Sequence, residues 1–246
     1  MSDIVLEITS LSKSFSLLGE ENIFSLLFSI KSRSSNNIAP LKNISLNIKR
    51  NEIVGVLGIN GSGKTTLTRI ITGIYKHDEG TIIKNGNIVA IFALRSGFNP
   101  LLTGRENIYL KGAFYGLNKK EIDENLNEII RFSELEEFID KPLGIYSSGM
   151  RAKLGFAILT QVRADLFIID EALAVGDKNF RTKCMNYLVE NKNNSSVIFI
   201  THFQEHLQNF ADRILILNNG MIEFESKDYT EATSFYNTIK SKQIDE

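Results

Sequence analysis

Two short stretches of the sequence contain the residue types that bind phosphate groups. The first, GINGSGKT from Gly58 to Thr65, fits the pattern G-x-x-x-x-G-K-[ST] and stands between a predicted strand and a predicted helix. Its glycines allow the backbone to curl so that successive N–H groups face a phosphate chain. Lys64 is expected to reach the β- and γ-phosphates, and the Thr65 hydroxyl to be a Mg²⁺ ligand. The residues predicted to bind the nucleotide here are Gly58, Asn60, Gly61, Ser62, Gly63, Lys64, Thr65 and Thr66.

The second stretch, IYSSGMRAKLGFAI from Ile145 to Ile158, has the features of an anion site without a P-loop lysine. After the small-residue turn Ser147-Ser148-Gly149, apolar residues recur at every fourth position, which predicts a helix with Ser147 as its N-cap. The free N–H groups and the hydroxyl at such a helix start attract anions. Because the lysine is missing, this second donor set cannot hold a nucleotide alone.

Carboxylates and a histidine follow two predicted strands in the C-terminal half of the chain. Asp170 ends the apolar run LFIID, and Glu171 comes directly after it. Beside a P-loop, Asp170 is predicted to hold Mg²⁺ through its water shell, and Glu171 to orient and deprotonate the attacking water. His202 follows the strand FIT at the C-terminal edge of the predicted sheet, where its imidazole is expected to contact the γ-phosphate. A satisfied surface histidine is the alternative interpretation.

The elements that position these groups alternate between short apolar runs and helical patterns. Residues 4–15, 41–48 and 52–58 have the patterns of strands, and Asn85-Gly86 between TIIK and NIVAIF predicts a hairpin. DLFIID, SVIFIT and RILIL are separated by helical stretches, which favours a mainly parallel sheet covered by helices. The predicted class is therefore α/β: a P-loop NTPase core with a mainly parallel sheet, an antiparallel β edge and an inserted α-helical subdomain.

Composition excludes several classes of protein. The net charge of -1, from 28 basic and 29 acidic residues, argues against a nucleic-acid partner. Cys184 is the only cysteine, so an internal disulfide is impossible and a reducing compartment fits. The N-terminus MSDIVLEITS lacks the features of a signal peptide, and no run approaches the roughly 18 apolar residues of a membrane span. We therefore expect a cytoplasmic chain that reaches a membrane only through a partner.

The order of these motifs resembles that of an ABC-transporter nucleotide-binding domain over nearly the whole chain. The resemblance implies a homodimer of head-to-tail subunits that binds two ATP with Mg²⁺. Ser147, Ser148 and Gly149 would then bind the γ-phosphate held by the P-loop of the other subunit, and Asp177 would cross the dimer interface. It also implies that Phe15 stacks on adenine, with a core position in a strand as the alternative. The motifs that carry the resemblance are Gly58–Thr66, Tyr146–Met150, Leu166–Glu171, Asp177 and His202.

Departures from the usual pattern of that family resemble one of its branches. The signature is Tyr146-Ser-Ser-Gly-Met150 instead of Leu-Ser-Gly-Gly-Gln, Ala172 replaces a proline, and FALRSGFNPLLTGREN lacks the Mg²⁺-contacting glutamine. With DEALAVGD and a long insert before the P-loop strand, these features are similar to the ATPase subunits of bacterial O-antigen, capsule and teichoic-acid exporters. What replaces the glutamine at the metal ion stays open at this point.

The branch implies the partners and the location of the chain. We expect an integral-membrane permease subunit that docks on TGRENIYLKGAFYG, and a lipid-linked polysaccharide, O-antigen in the first place, as the transported substrate. The chain would then lie peripherally at the cytoplasmic face of the inner (plasma) membrane. The insert at 16–39 contains the apolar cluster Ile23–Ile30, which is either buried packing or an amphipathic segment at the membrane surface or polymer entrance.

The sequence thus predicts an ATP-hydrolysing motor subunit, with Glu171, His202 and Lys64 as its catalytic residues. We expect one ABC ATPase domain over 1–246, with its helical subdomain at 96–160. One alternative is the ATPase of a different ABC transporter, which would be expected to keep the glutamine and the Gly-Gly signature. Another is a soluble ABC ATPase, which would be expected to carry a long coiled coil or two nucleotide domains. A small-molecule P-loop kinase does not account for the helix start at Ser147.

Overall fold

A computed structural model describes residues 3–16, 37–91, 94, 96–170 and 177–244. The chain divides into two compact units. The first comprises Met1–Lys49, Val54–Asn85 and Thr201–Glu246, and the second comprises Arg50–Ile53 and Gly86–Ile200. Glu171 and most of the insert predicted at 16–39 lie outside the described residues. The single domain and the boundaries of its insertions stay predictions.

The described residues form nine strands and six α-helices. In chain order they are β1 (Ile4–Ser16), β2 (Asn37–Lys49), β3 (Ile53–Leu57), α1 (Lys64–Ile71), β4 (Glu79–Lys84), β5 (Ile88–Ile91), α2 (Gly104–Phe114), α3 (Lys119–Ser133), α4 (Ser148–Leu159), β6 (Leu166–Asp170), α5 (Lys178–Glu190), β7 (Ser196–Thr201), β8 (Arg213–Asn218), β9 (Met221–Ser226) and α6 (Tyr229–Ile244). The strands predicted at 4–15, 41–48 and 52–58 are present within one to four residues of their predicted ends, and a helix follows the glycine-rich turn as predicted.

In the first unit, β1 is the central strand of an antiparallel sheet with the order β2-β1-β4. The side chains of β2 alternate between core and solvent, as its sequence pattern predicts, with Leu41, Ile44, Leu46 and Ile48 buried. β3 pairs in parallel with β8, and β9 pairs antiparallel with β8. Every residue of β3 is buried, which explains its unbroken apolar sequence IVGVL.

In the second unit, β5, β6 and β7 are parallel neighbours in that order. Helices α2, α3 and α4 pack around their own hydrophobic cluster, in which Ile108, Ile129 and Leu154 are 0% exposed. Capping boxes start α2 at Thr103 and α3 at Asn118, and each satisfies the N–H groups of the N-cap residue and of the third helical residue. The parallel pairings, the antiparallel sheet and these inserted helices confirm the predicted α/β class.

The hairpin predicted at Asn85-Gly86 is wrong, because β4 and β5 pair with different partners. β4 pairs antiparallel with β1, whereas β5 pairs in parallel with β6. The N–H of Asn85 donates to the Val5 carbonyl at 2.9 Å. The N–H of Asn87 donates to the Asp165 carboxylate at 2.8 Å. Both flanking N–H groups are thus bonded to groups distant in sequence, and a Cβ at Gly86 would collide with the Asp165 side chain.

Helix α5 packs through an aromatic cluster formed by Phe132, Phe156, Phe180 and Tyr187. Their ring centroids lie 5.7 to 6.5 Å apart, mostly edge to face. Cys184 lies on the same helix and is 1% exposed, and burial raises the pKa of its thiol. The only cysteine of the sequence is therefore a small apolar core residue rather than a reactive group.

Candidate functional site

The glycine-rich turn between β3 and α1 wraps around the amino group of Lys64. Lys64 is 7% exposed, and its Nζ donates to the carbonyl of Gly58 at 2.6 Å and to that of Ile59 at 2.8 Å. Gly61 and Gly63 have φ angles of 80° and 109°, a conformation that side-chain-bearing residues rarely adopt. The turn therefore places the lysine amino group along its own backbone, while its contact with the β- and γ-phosphates stays a prediction.

Two of the glycines in this turn are also required by close neighbours. A Cβ at Gly58 would collide with the Ser62 hydroxyl and would lie 2.6 Å from the Leu217 carbonyl. A Cβ at Gly63 would collide with the Pro40 carbonyl. The carbonyl groups at the end of β8 and the start of β2 thus leave space only for glycine at positions 58 and 63. This explains why the sequence has glycine at these positions in the turn.

The turn has the features expected of a triphosphate site. The Ser62 hydroxyl is buried and has no hydrogen-bond partner among the described residues. Asn60, Gly61 and Thr65 are exposed, while Thr66 is half-buried. An unsatisfied buried hydroxyl beside a lysine and the N-terminus of α1 fits an anion that accepts hydrogen bonds. The residues present therefore fit the phosphates of a nucleotide, with the exposed Thr65 hydroxyl free to reach a metal ion.

Phe15 lies on the surface near the end of β1, where it is 36% exposed. Its ring meets that of Tyr75 edge to face, with centroids 5.4 Å apart, and the Lys13 ammonium lies 5.2 Å from its centroid. The exposure argues against the alternative of a core strand residue. Stacking on adenine stays a prediction for Phe15, and Tyr75 is a neighbour that the sequence alone did not indicate.

Asp78 fixes the strand end that carries Phe15. Its carboxylate accepts from Lys13 Nζ at 2.7 Å, from the Ser14 N–H at 2.7 Å and from the Ser14 hydroxyl at 2.9 Å. The bond from Lys13, followed by the backbone bond from Ser14, lowers the pKa of Asp78 to about 2. This carboxylate is thus ionised at neutral pH and ties β1 to the segment that follows Tyr75.

His202 is half-buried, directly after Thr201 in the first unit. Its backbone carbonyl accepts from the Tyr236 hydroxyl at 3.2 Å, and its ring centroid lies 3.8 Å from that of Phe203. The Thr201 hydroxyl accepts from the Phe203 N–H at 3.0 Å, which shapes the turn after the strand. The backbone at His202 is therefore held in place, while its contact with a γ-phosphate stays a prediction.

Asp170 is the last residue of β6 in the second unit and is half-buried. In the parallel pairing it stands opposite Ile200 of β7, so the carboxylate lies at the C-terminal end of the strands, as predicted. Glu171 and the following residues up to Gly176 lie outside the described part of the chain. The roles of Asp170 at a metal ion and of Glu171 at the attacking water stay predictions.

The predicted N-cap at Ser147 is confirmed. Its hydroxyl accepts from the Met150 N–H at 3.1 Å, and helix α4 begins at Ser148. A cavity of about 500 Å³ opens at this helix start. It is lined by Glu134, Leu135, Phe138, Ser147, Ser148, Gly149, Met150, Lys153 and Asp177. The structure thus brings together the predicted signature residues and Asp177, which are 27 or more positions apart in the sequence.

Charged residues at this cavity form a network that sequence reasoning missed. Lys153 Nζ lies 2.7 Å from a carboxylate oxygen of Glu134 and 3.2 Å from one of Asp177. Lys183 Nζ lies 3.0 Å from the other Glu134 oxygen. Asp177 is also the N-cap of α5, because its carboxylate accepts from the Phe180 N–H at 2.9 Å. That backbone bond and then Lys153 lower the pKa of Asp177, and Lys153 lowers the pKa of Glu134.

Tyr146, which replaces the usual leucine of the signature, has a structural explanation. It is 3% exposed, and its hydroxyl donates to the Phe138 carbonyl at 2.6 Å. Burial raises the pKa of Tyr146 to about 12, so the hydroxyl stays protonated as a donor. A Cβ at Gly104 would collide with this hydroxyl, so the tyrosine requires a glycine at the first position of α2. Leucine lacks the hydroxyl and cannot make this bond.

The geometry defines a nucleotide-binding cassette with a P-loop in one unit and a signature helix start in the other. A family profile described as "ABC transporter" matches residues 41–174, which is more than half of the chain. The chain belongs to the ABC transporter family. By this membership it binds nucleotide and is an ATPase coupled to transport.

The chain is similar to ATP-binding subunits of exporters. It is 41% identical over 180 residues to "O-antigen export system ATP-binding protein RfbB" of Klebsiella pneumoniae, covering 73% of each chain. It is 38% identical over 225 residues to "Teichoic acids export ATP-binding protein TagH" of Shouchella clausii, covering 90% of this chain and 62% of that protein. These similarities confirm the resemblance to the polysaccharide-exporter branch.

A solved structure supports the same fold. The ATP-binding cassette MJ0796, a dimer in a post-hydrolysis state bound to ADP and phosphate, matches with a TM-score of 0.71 and 25% identity. The match covers 90% of this chain and 97% of the other. Throughout the described ranges, every helix is too short or too polar to cross a membrane.

Proposed function

We propose that this chain is the ATP-hydrolysing motor subunit of a bacterial exporter for a lipid-linked cell-surface polysaccharide, O-antigen in the first place. The observation that carries the proposal is the cavity that the signature residues Ser147–Met150 share with Asp177. The similarity to an O-antigen and a teichoic-acid export subunit supports the class of substrate. Neither the glutamine-free loop nor the Tyr-Ser-Ser-Gly-Met signature favours an importer or drug-exporter ATPase.

The reaction is phosphoryl transfer from ATP to water, in which the chain mainly positions and stabilises charge. The P-loop backbone, Ser62 and Lys64 bind the phosphates. Thr65 and Asp170 would hold Mg²⁺, which neutralises charge on the phosphate oxygens when bound. Glu171 orients the attacking water and accepts its proton, and His202 contacts the γ-phosphate.

Two copies of the chain form the working dimer, since a signature site cannot hold ATP alone. Ser147, Ser148 and Gly149 of one copy donate to the γ-phosphate bound by the P-loop of the other, and Asp177 lies beside them at the interface. ATP thus joins the copies, and hydrolysis releases them. Closure and opening are the movement that the membrane subunit receives.

The permease docks on the exposed apolar side chains around α2. Leu101 is 85% exposed, Phe114 83%, Ile145 62% and Leu110 44%. Exposed large apolar side chains are a common feature of protein contact surfaces. This contact would hold the chain peripherally at the cytoplasmic face of the inner membrane.

The test replaces Glu171 with Gln in the source organism and compares its surface glycans on a gel with those of wild type. Glu136→Gln, at an exposed position of the second unit, is the matched control. We expect Glu171→Gln to remove the surface polymer and to accumulate lipid-linked material inside the cell, while Glu136→Gln changes neither. Unchanged glycans in a mutant shown to lack ATPase activity would exclude polysaccharide export and leave the nucleotide chemistry intact.

A further inference from the structure

A buried lysine of α2 holds the chain segment in which the expected glutamine is missing. Lys111 is 2% exposed, and its Nζ donates to the carbonyl of Leu94 and, at 3.1 Å, to that of Ser96. The same ammonium group lies 4.0 Å from the centroid of the Phe98 ring. Three positions of one loop are thus held by a single side chain from the helix on which we place the permease contact.

The signature helix α4 contacts the same point through a glycine. A Cβ at Gly155 would collide with the Leu94 carbonyl and would lie 3.2 Å from Lys111 Nζ. The absence of a side chain at Gly155 therefore lets the helix backbone approach both groups. We call this meeting point of α2, α4 and the loop the lysine junction: Lys111, Gly155 and the carbonyls of Leu94 and Ser96.

The lysine is buried at a cost that an apolar residue would avoid. Across the described residues, the hydrogen bonds of its ammonium group go to carbonyl oxygens, and the ring centroids of Phe98 and Tyr115 lie 4.0 and 6.0 Å from it. Burial lowers the pKa of Lys111 to about 8. No carboxylate among the residues that the structure describes pairs with this ammonium group, and an unpaired charge destabilises a core. A methionine of similar length would fill the same space without that penalty. Stability alone therefore does not explain a lysine here.

A second side chain of α2 holds the rest of the loop. Asn107 is 0% exposed, and its amide donates to the carbonyls of Asn99, Leu102 and Thr103 at 2.9 to 3.2 Å. Its side-chain oxygen accepts from the Asn99 N–H at 2.8 Å. Side chains of α2 thus bond this loop at Leu94, Ser96, Asn99, Leu102 and Thr103, so that a displacement at the lysine junction is carried to α2.

We propose that Lys111 is a positioning residue that couples movement of the signature helix α4 to α2 through the lysine junction. The inference rests on the proposed function, because it assumes that α2 contacts the permease. When ATP draws the start of α4 toward the other subunit, Gly155 moves against the Leu94 carbonyl and Lys111. The lysine then transmits this shift to α2 and the membrane subunit.

The test uses the complete transporter in proteoliposomes with lipid-linked polymer from the source organism. Lys111→Met is compared with wild type and with Lys120→Met, whose side chain in wild type is 84% exposed. Three quantities are measured: the ATP affinity of the chain, the ATPase rate, and the polymer moved per ATP hydrolysed. We expect Lys111→Met to keep its ATP affinity within about twofold while polymer moved per ATP falls about tenfold, because only the coupling free energy is lost. Lys120→Met should match wild type in all three.

Two results would overturn the inference. If the ATPase rate and transport fall together at a constant ratio, Lys111 acts only on the fold or on hydrolysis. If Lys111→Met matches wild type in ATP affinity, ATPase rate and polymer moved per ATP, the lysine junction does not couple α4 to α2. Failure of the proposed function is distinguishable from both, because wild-type chain would then move no polymer with ATP.

A second variant approaches the junction from α4. Gly155→Ala adds a methyl group toward the Leu94 carbonyl and Lys111, and we expect it to lower polymer moved per ATP without changing ATP affinity. If both residues act through one junction, the double variant Lys111→Met with Gly155→Ala should move as much polymer per ATP as the more impaired of the two single variants. Additive losses would mean that the two positions act separately and would contradict the inference.

Discussion

The ammonium group of Lys153 lies 3.2 Å from a carboxylate oxygen of Asp177 and 2.7 Å from one of Glu134. Lys153 lies on α4 about one and a half turns after Ser148, and Asp177 caps α5. The lysine therefore fixes the start of α5 to the signature helix. Both ends are predicted to face the other subunit, so the arrangement prepares one surface for the ATP bound by the partner copy.

Removing this lysine should weaken the closed dimer more than the fold. Partly exposed ion pairs contribute little to the stability of a fold, so we expect Lys153→Met to reduce ATP-dependent dimerisation about fivefold and to change stability little. Sedimentation velocity with ATP, in a Glu171→Gln background that blocks hydrolysis, measures the dimer. Lys119→Met is the control, because Lys119 also pairs with a carboxylate but its side chain is 80% exposed on α3. Equal dimerisation of both variants would contradict a role for the Asp177 contact.

Ser147 should matter for the dimer beyond its role as a helix cap. Ser147→Ala loses the cap bond to Met150, which costs about 1 kcal/mol of stability, and also loses the predicted donor to the γ-phosphate. We expect the dimer formed with ATP to disappear while ATP affinity of the single chain is retained. Thr103→Ala, which removes the corresponding cap of α2, separates the two effects. It should lose similar stability and still dimerise.

Phe15 should contribute to the affinity for the base of the nucleotide. Aromatic stacking on a base is worth about 1–3 kcal/mol, so Phe15→Ala is expected to raise the Kd for ATP at least about fivefold, with Phe15→Tyr close to wild type. Titration by isothermal calorimetry measures this directly. Phe114→Ala removes a more exposed ring, 83% accessible on α2, and is expected to leave the Kd unchanged. A Kd unaffected by Phe15→Ala would assign the ring to packing against Tyr75.

The Asp78 contact should make stability fall in acid. Its pKa is about 2 in the folded chain against an ordinary 3.8, so the unfolded chain takes up the proton first. The contribution is present above pH 3.8 and is lost as the pH falls toward 2. Asp78→Asn should therefore reduce the slope of unfolding free energy against pH in this window, measured by urea denaturation. An identical slope in the variant would show that other carboxylates govern the acid transition.

The predictions made from sequence succeeded where the signal is local. The P-loop conformation follows from glycines and a lysine within eight residues, and the cap at Ser147 from residues within one helical turn. The hairpin at Asn85-Gly86 failed because Asp165, which is distant in sequence, bonds the N–H of Asn87. The contacts of Lys153 and Lys111 depend on how α2, α3, α4 and α5 pack. No spacing rule relates such residues, so the sequence alone did not indicate them.

The burial of Cys184 allows site-specific labelling at cysteines introduced elsewhere in the chain. The only thiol of the sequence lies in the core of the second unit, 1% exposed, with its pKa raised by burial. Maleimide reagents require an accessible thiolate, so the unmodified chain should remain unlabelled under native conditions. A cysteine introduced at an exposed position such as Glu136 or Lys120 would then carry a dye or spin label alone. Distances between two copies during the ATP cycle become measurable without first removing a native residue.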